Sequence, residues 1–148
     1  MPTSVKLIYL VTEDWYFCSH RLPLAKAACR AGYAVAVVTR VRDHAPLLRA
    51  EGFRVVPIGL RRKSLSPWRE IASIWELIGV YRHERPAIVH QVALKPVIYG
   101  SIAASIARIP HRVNALAGLG FVFSSNTRAA RALNPIIRRA LAVALRRG

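Results

Sequence analysis

The chain has 148 residues, of which 53% are apolar and 20% are charged, and its formal net charge at pH 7 is +16. A chain of this length fits one domain that buries roughly two-thirds of its unfolded surface. The composition excludes a disordered or low-complexity protein. The N-terminus lacks a signal-peptide pattern, and Pro96 to Ala107, the longest charge-free apolar stretch, is shorter than the ~20 residues of a membrane-spanning helix.

The positive charge is unevenly distributed. All seven acidic residues lie at or before Glu84, whereas the segment from Arg85 to Gly148 carries ten basic residues and no acid. Arg-rich codon usage is one explanation, and an anionic partner such as a membrane surface, phosphates or nucleic acid is the other. Cys18 and Cys29 make no metal-binding or redox spacing, so we expect free thiols.

The first half of the chain alternates between strand and helix patterns. Continuous apolar runs predict strands buried on both faces of a sheet, and apolar residues three or four apart predict helices. The predicted elements are a strand at Val5 to Val11, a helix from Leu22 that Gly32 ends, a strand at Ala34 to Arg40, a helix from Asp43 as N-cap to Glu51, and a strand at Arg54 to Ile58. The stretch from Thr12 to Arg21 is predicted to be a loop.

The second half continues the alternation after a basic loop, Gly59 to Pro67. A helix that begins at Ser66 and Pro67 is predicted to turn one apolar face to the core: Ile71, Ile74, Trp75, Ile78 and Tyr81. The remaining predicted elements are a strand at Ala87 to Val92, a helix at Pro96 to Ile109, a strand at Arg112 to Leu116, and an Arg-rich helix at Arg128 to Arg147. This order predicts an α/β domain, a doubly wound parallel sheet with right-handed crossovers.

Ligands of open parallel sheets bind beyond the carboxyl ends of the strands. Four segments are expected to meet at that edge: Thr12 to Arg21, Thr39 to Asp43, His90 to Lys95, and Leu116 to Phe123. His20 and Arg21 directly precede a predicted helix N-terminus, which favours binding of an anion such as phosphate. The alternative is structural: the aromatic residues 15–17 cap the sheet, and Arg21 pairs with Glu13 or Asp14.

Two further features lie at the same edge. His90 is predicted to be either a hydrogen-bonded core group or a functional group, and Lys95 opens the next helix. The turn at Ala117 to Gly120 would let a ligand approach the backbone. The sequence contains no Walker loop, dinucleotide fingerprint, zinc-ligand spacing, serine elbow or paired acids, so NAD or ATP chemistry and a metal are not indicated.

Several motifs in order resemble the N-terminal half of bacterial family 4 glycosyltransferases, in the branch that builds cell-surface polysaccharide such as lipopolysaccharide. The matching stretches are "KLIYLVTEDWYFCSHRLPLAKAACRAGYAVAVVTR", "EGFRVVPIGL", "IVHQVALKPVIYGSIAA" and "RVNALAGLGFVF". The resemblance implies a two-domain GT-B architecture, in which a Rossmann-like N-terminal domain mainly holds the acceptor and a C-terminal domain holds the nucleotide sugar.

By this resemblance, residues 1–148 are a single N-terminal domain, and the nucleotide-sugar domain is absent from the chain. The implied reaction is retaining, hexosyltransferase-type transfer from a UDP- or GDP-sugar, bound mainly by the absent domain, to a lipid-linked or saccharide acceptor. No cofactor and no metal are implied. We expect the chain to be inactive alone.

The resemblance also suggests site residues. The candidate substrate-binding residues are Trp15, Tyr16, His20, Arg21, His90, Lys95, Asn114, Gly118 and Gly120. His90 matches the strand-end His of the family's "VHxH" region, but Gln91 and Val92 depart from the rest of it. Ala117 stands where many members have a His, so the catalytic residue is left unknown.

Family members work at the inner face of the cytoplasmic membrane on polyprenyl-diphosphate-linked acceptors, which implies a cytoplasmic, peripheral location. Arg61, Arg62, Lys63, Arg138 and Arg139 are the candidate membrane or anion surface. The Arg-rich last helix would either insert shallowly or pack on the sheet or on the absent domain.

Two other functions stay open at this point: a non-catalytic basic module that binds anionic membrane or nucleic acid, although no nucleic-acid motif is present, and a nucleotide-sugar epimerase of the same architecture.

Overall fold

The computed structural model describes residues 3–117 and 128–146. Within them the strands are β1 (Lys6–Glu13), β2 (Ala34–Arg40), β3 (Arg54–Pro57), β4 (Ile88–Val92) and β5 (His111–Ala115). The helices are α1 (Asp14–His20), α2 (Leu22–Arg30), α3 (Ala45–Ala50), α4 (Pro67–Glu84), α5 (Leu94–Ala107) and α6 (Arg128–Arg146).

The five strands form one parallel sheet in the order β3-β2-β1-β4-β5. β1 and β2 are buried almost throughout, as their continuous apolar sequences predict. The predicted Rossmann-like, doubly wound α/β fold is confirmed.

Helices cover both faces of this sheet because successive strand residues point to opposite sides. On one face Ile8, Leu10 and Val38 pack with Leu77 of α4 and Ala103 of α5. On the other face, residues of the same strands pack with the helices α1, α2 and α3; the buried members are Leu7, Tyr9, Val11, Phe17, Ala25, Val35, Val37, Leu48, Phe53 and Val92.

Three charged groups close the amino-terminal edge of the sheet. Glu84, at the end of α4, accepts hydrogen bonds from Lys6 Nζ at 3.0 Å and from Arg54 Nε at 2.9 Å. Burial alone would raise the pKa of Glu84, but the two cations hold it below its usual value. These contacts join β1, β3 and α4.

The helix α6 packs against α5 rather than directly on the sheet. Its Leu141 and Ala144 form a small buried cluster with Val97, and Ile137 is packed against it. Arg138 and Arg139 are exposed. Two alternatives were given for the last helix, shallow membrane insertion and packing on the sheet or on the absent domain. The observed contacts are packing contacts, and they are made with α5.

One prediction about local structure is wrong, and a second is wrong in part. The stretch predicted as a loop after the first strand contains α1, because Asp14 sits in the first turn and accepts a hydrogen bond from the N–H of Trp15. In α4 the buried face is formed by Ser73, Leu77, Ile78, Tyr81 and Glu84. Ile78 and Tyr81 are buried as predicted, and Ile74 packs against the core. Ile71 and Trp75 are instead exposed, because α4 carries a second apolar stripe on its outer side.

Candidate functional site at the carboxyl edge of the sheet

The candidate site lies where β1, β2 and β4 end. Asp14 follows β1 directly and is fully buried. Its Oδ2 accepts hydrogen bonds from the backbone N–H groups of Arg42 at 2.7 Å and His44 at 3.0 Å. Burial alone would raise the pKa of Asp14, but three backbone donors outweigh it and hold the pKa below its usual value. Asp14 therefore stays ionised and fixes the loop after β2.

Glu13, the last residue of β1, faces two arginines from the neighbouring strand end. Its Oε2 lies 3.2 Å from Arg42 Nε, and its Oε1 lies 3.8 Å from Arg40 Nη1. The structural alternative for the sequence stretch, that Arg21 pairs with Glu13 or Asp14, is wrong because both carboxylates have other partners.

Arg21 lies between α1 and α2 and is half-buried. Its Nε is fully buried and has no hydrogen-bond partner among the described residues. Within residues 3–117 and 128–146, no carboxylate forms an ion pair with it. A buried guanidinium nitrogen without a partner is costly, so Arg21 is suited to an anionic ligand.

His90, in β4, lies close enough to Arg21 for the positive charge of Arg21 to affect its pKa. The imidazole stacks on Tyr9, with ring centroids 5.0 Å apart, and its Nε2 is buried without a partner among the described residues. Burial lowers the pKa of His90, and the positive charge of Arg21 lowers it further. His90 is therefore neutral at physiological pH and keeps a ring nitrogen available for hydrogen bonding.

Exposed aromatic side chains line α1 beside this pair. The rings of Tyr16 and His20 are stacked, with their centroids 4.3 Å apart and an angle of 15° between their planes. His20 Nδ1 lies 3.3 Å from the carbonyl oxygen of Tyr16. Trp15 is 42% exposed and meets Tyr16 edge-on. Flat rings that are partly open to solvent are surfaces on which sugar rings can pack.

Lys95 contacts the basic loop before α4 and the first turn of α4. Its ammonium donates to the carbonyl oxygens of Arg61 and Ser64 and to the carboxylate of Glu70. Three acceptors use all three of its donors. Substrate binding by Lys95 stays a prediction, but its observed contacts hold the basic loop.

Asn114 lies on the other face of the sheet from His90. In the β4–β5 register, Asn114 pairs with Gln91 and His90 pairs with Val113. Residues paired in register share a face. Gln91 accepts a hydrogen bond from Ser101 of α5, whereas His90 contacts Tyr9 on the α1 side. Gly118 and Gly120 lie outside the described residues.

The basic surface residues fall into two groups. Arg61, Arg62 and Lys63 are exposed in the loop before α4, and Arg138 and Arg139 are exposed on α6. Arg138 Nε donates to Asn134 within its own helix at 3.0 Å.

The described residues contain no cluster of three or more metal-ligating side chains. None of the described helices is long and apolar enough to cross a membrane.

A family model described as "Glycosyl transferase 4-like" matches residues 6–146. The chain belongs to the glycosyl transferase 4-like family. The resemblance found in its motifs is thus confirmed. No curated protein matches the chain at a significant level.

Solved structures resemble this glycosyl transferase 4-like chain in fold. A glycosyltransferase from Rickettsia africae is 12% identical, with a TM-score of 0.61 over 85% of this chain and 34% of that one. MurG from Acinetobacter baumannii is 15% identical, with a TM-score of 0.56 over 76% of this chain and 35% of that one. A putative UDP-N-acetylglucosamine 2-epimerase from Listeria monocytogenes is 12% identical, with a TM-score of 0.61 over 91% and 38% of the two chains.

This family member spans about a third of the length of these solved structures. At such low identities the likeness bears on the fold alone, and it includes both transferases and an epimerase.

Proposed function

We propose that the chain is the acceptor-binding domain of a retaining glycosyltransferase. The complete enzyme would move a sugar from a nucleotide sugar to a lipid-linked or saccharide acceptor in cell-surface polysaccharide synthesis. The family match supports transfer of a glycosyl group. The observation that carries the proposal is the Arg21 and His90 pair, whose buried polar atoms have no partner among the described residues at the edge where α/β domains bind ligands.

Arg21 contacts an anionic group of the acceptor, for which a diphosphate linked to a polyprenyl chain is the best candidate. A guanidinium binds phosphate oxygens through charge-assisted hydrogen bonds. Neutral His90 offers a hydrogen bond without adding a second positive charge beside Arg21. In this arrangement Arg21 supplies attraction and His90 supplies orientation.

The rings of Trp15, Tyr16 and His20 form the wall against which the acceptor sugar packs. Positioning of the acceptor hydroxyl is a large part of catalysis in a transfer between two bound substrates. The departing phosphate of the donor assists retaining transfer of this type, so this domain needs to contribute positioning and positive charge rather than a base.

The nucleotide sugar, a UDP- or GDP-sugar, is bound mainly by a second domain, and no cofactor or metal takes part. Without that domain, residues 1–148 would bind acceptor but transfer no sugar. We place the enzyme on the cytoplasmic face of the inner membrane, to which Arg61, Arg62, Lys63, Arg138 and Arg139 are attracted by anionic headgroups.

The test is a transfer assay with the domain joined to its nucleotide-sugar domain. Polyprenyl-diphosphate-linked sugars serve as acceptors, and a panel of UDP- and GDP-sugars serves as donors. We expect transfer by the joined protein and none by residues 1–148 alone. Absence of transfer from every donor, while an active relative works in the same assay, would overturn the proposal.

The alternative is a non-catalytic basic module, and the acid-free segment from Arg85 onward favours it. Such a module would bind vesicles or duplex DNA with strong salt dependence and would not respond to Arg21→Ala more than to loss of another exposed arginine.

A further inference from the structure

The outer face of α4 carries large apolar side chains in open solvent. Trp68 is 81% exposed, Trp75 is 64% exposed, and Ile71 between them is 48% exposed. Their spacing of three, four and seven residues places them on one stripe of the helix. Leu65, 77% exposed, lies just before the helix and extends the stripe. A contiguous exposed apolar surface of this kind marks an interaction site.

Positive side chains adjoin the N-terminal end of this stripe. Arg61, Arg62 and Lys63 precede Leu65 in the basic loop, Arg69 follows Trp68, and all four are exposed. We call the four apolar and four basic residues together the α4 surface.

Internal contacts hold the basic loop in place. Leu60 is buried in the core, and the Lys95 ammonium bonds the carbonyl oxygens of Arg61 and Ser64. Because the backbone of the loop is fixed at these points, its side chains project from a defined position beside Leu65 and Trp68.

Two acids of α4, Glu70 and Glu76, lie near these cations and offset only part of their charge. Glu70 is half-buried and pairs with Lys95 at 3.0 Å, and it also accepts a hydrogen bond from Tyr99. Glu76 accepts a hydrogen bond from the Gly59 N–H at 2.9 Å. Lys95 thus offsets Glu70, and Glu76 offsets one of the four cations, so the solvent-facing side of the loop and first turn keeps a net positive charge.

We propose that the α4 surface docks on an anionic lipid bilayer, with Leu65, Trp68, Ile71 and Trp75 inserted at headgroup depth. Tryptophan prefers the membrane interface because its ring is apolar and its N–H is polar. The adjoining cations match anionic headgroups, and together they give the amphipathic pattern of helices that lie in the interface plane.

Among the described side chains of α6, the outer face shows no such stripe. Its exposed Ile136, Val143 and Leu145 are interrupted by Arg138 and Arg139. The bilayer contact is thus assigned to α4, and α6 adds only long-range attraction.

The proposal deepens the membrane location proposed above and sets an orientation. α4 packs on the face of the sheet opposite to α1, so docking turns the face covered by α4 and α5 toward the bilayer, while Arg21 and His90 lie on the α1 side.

Binding of the 148-residue chain to vesicles of phosphatidylglycerol and phosphatidylcholine tests the proposal without any sugar transfer. The chain has three tryptophans, so a Trp15→Phe background leaves Trp68 and Trp75 as reporters. We expect a blue shift of their fluorescence on binding and quenching by lipids brominated in the acyl chains.

Matched variants separate the α4 surface from general charge. Arg61→Gln with Arg62→Gln should weaken binding by about 25-fold, at about fivefold for each cation near the surface. Arg30→Gln with Arg49→Gln removes the same charge from exposed positions on α2 and α3 and should change binding far less.

Trp68→Ala with Trp75→Ala should abolish most binding, and Ile136→Ala with Val143→Ala on α6 should not. Thermal melting checks that the variants fold. We expect them to fold, because substitutions of exposed side chains usually change the stability little. Unchanged lipid binding in the Trp68 and Trp75 variant, or loss in the α6 variant instead, would overturn the proposal. The proposal would also be overturned if the chain bound no vesicles and instead formed a dimer that Trp68→Ala with Trp75→Ala dissociates. A failed transfer assay with intact vesicle binding would count against the proposed function only.

Discussion

The carboxylate of Asp14 lies 2.7 Å from the backbone nitrogen of Arg42, and this hydrogen bond joins the end of β1 to the loop after β2. The two residues are 28 positions apart in the chain. Within the stretch from Thr12 to Arg21, Asp14 thus has a structural role and holds the loop after β2. Arg21, in the same stretch, has no carboxylate partner among the described residues.

Asp14→Ala should lower the free energy of unfolding by about 2–3 kcal/mol, because it leaves buried backbone donors without an acceptor. The folded-state pKa of Asp14 lies below its unfolded value of about 3.9. Its stabilisation is therefore present above about pH 4 and is lost as the pH falls through the folded pKa. Urea denaturation at several pH values measures this. Asp43→Ala, at an exposed position, is the control and should have little effect.

Arg21→Ala should raise the pKa of His90, since removing a nearby positive charge favours the protonated imidazole. Proton NMR titration of the His90 ring measures the shift in residues 1–148 without any substrate. Arg30→Ala, a change of equal charge on the exposed end of α2, should leave the His90 titration almost where it is. An unmoved His90 in the Arg21 variant would separate the two groups that we place together in the acceptor site.

In the two-domain enzyme, Arg21→Ala should raise KM for a diphosphate-linked acceptor by about tenfold or more, the loss of one charge-assisted contact. KM for the nucleotide sugar should change little, because we propose that the second domain binds the donor. Steady-state kinetics with each substrate varied in turn measures both values. Arg21→Lys keeps the charge and should recover part of the loss. Equal effects on both substrates would contradict an acceptor-side role.

Gly100→Ala should destabilise the domain by about 1–3 kcal/mol because of overpacking. A Cβ at this position would lie 2.5 Å from Gln91 Oε1 and 2.7 Å from Leu10 Cδ2. Gly79→Ala on the exposed side of α4 meets nothing within 4 Å and should stabilise by about 0.5–1 kcal/mol. Chemical denaturation of the two variants compares them, and effects of the same sign would contradict the packing of α5 on β4.

Lys95→Met should loosen the basic loop, because it removes the donor that binds the carbonyl oxygens of Arg61 and Ser64. Limited trypsin digestion is a direct measurement, since Arg61, Arg62 and Lys63 are themselves cleavage sites. We expect cleavage there to become several-fold faster. Lys26→Met, which removes a partly exposed ion pair with Glu51, is the control. A loop that stays protected while acceptor binding is lost would return Lys95 to the substrate site.

The strands could be predicted from the sequence because runs such as residues 34–40 are apolar at almost every position, a pattern typical of parallel strands covered on both sides. The helix α1 could not, since consecutive aromatic residues show no helical period and its first turn depends on the buried Asp14. Ile71 and Trp75 were wrongly assigned to the buried face of α4, because the helix carries two apolar stripes and the sequence does not say which one meets the sheet.

The location of the candidate site could be predicted from the sequence, but the residues that lie there could be predicted only in part. Strand ends identify the edge, and the family resemblance identifies His90 and Arg21. Asn114 was grouped with them because it follows the same strand order, but its register with Gln91 turns it to the other face. Lys95 is close in sequence to the edge, yet its partners come from a loop more than thirty residues away.

The contacts of Glu84 with Lys6 and Arg54 lie at the end of the sheet farthest from Arg21 and His90. At the first end Glu84 is paired within the chain, and at the other end Arg21 Nε and His90 Nε2 have no partner among the described residues. Engineers who want a sturdier version of this domain can therefore work on the Glu84 end, where tighter ion pairing or shorter loops would raise the melting temperature without altering which acceptor is recognised.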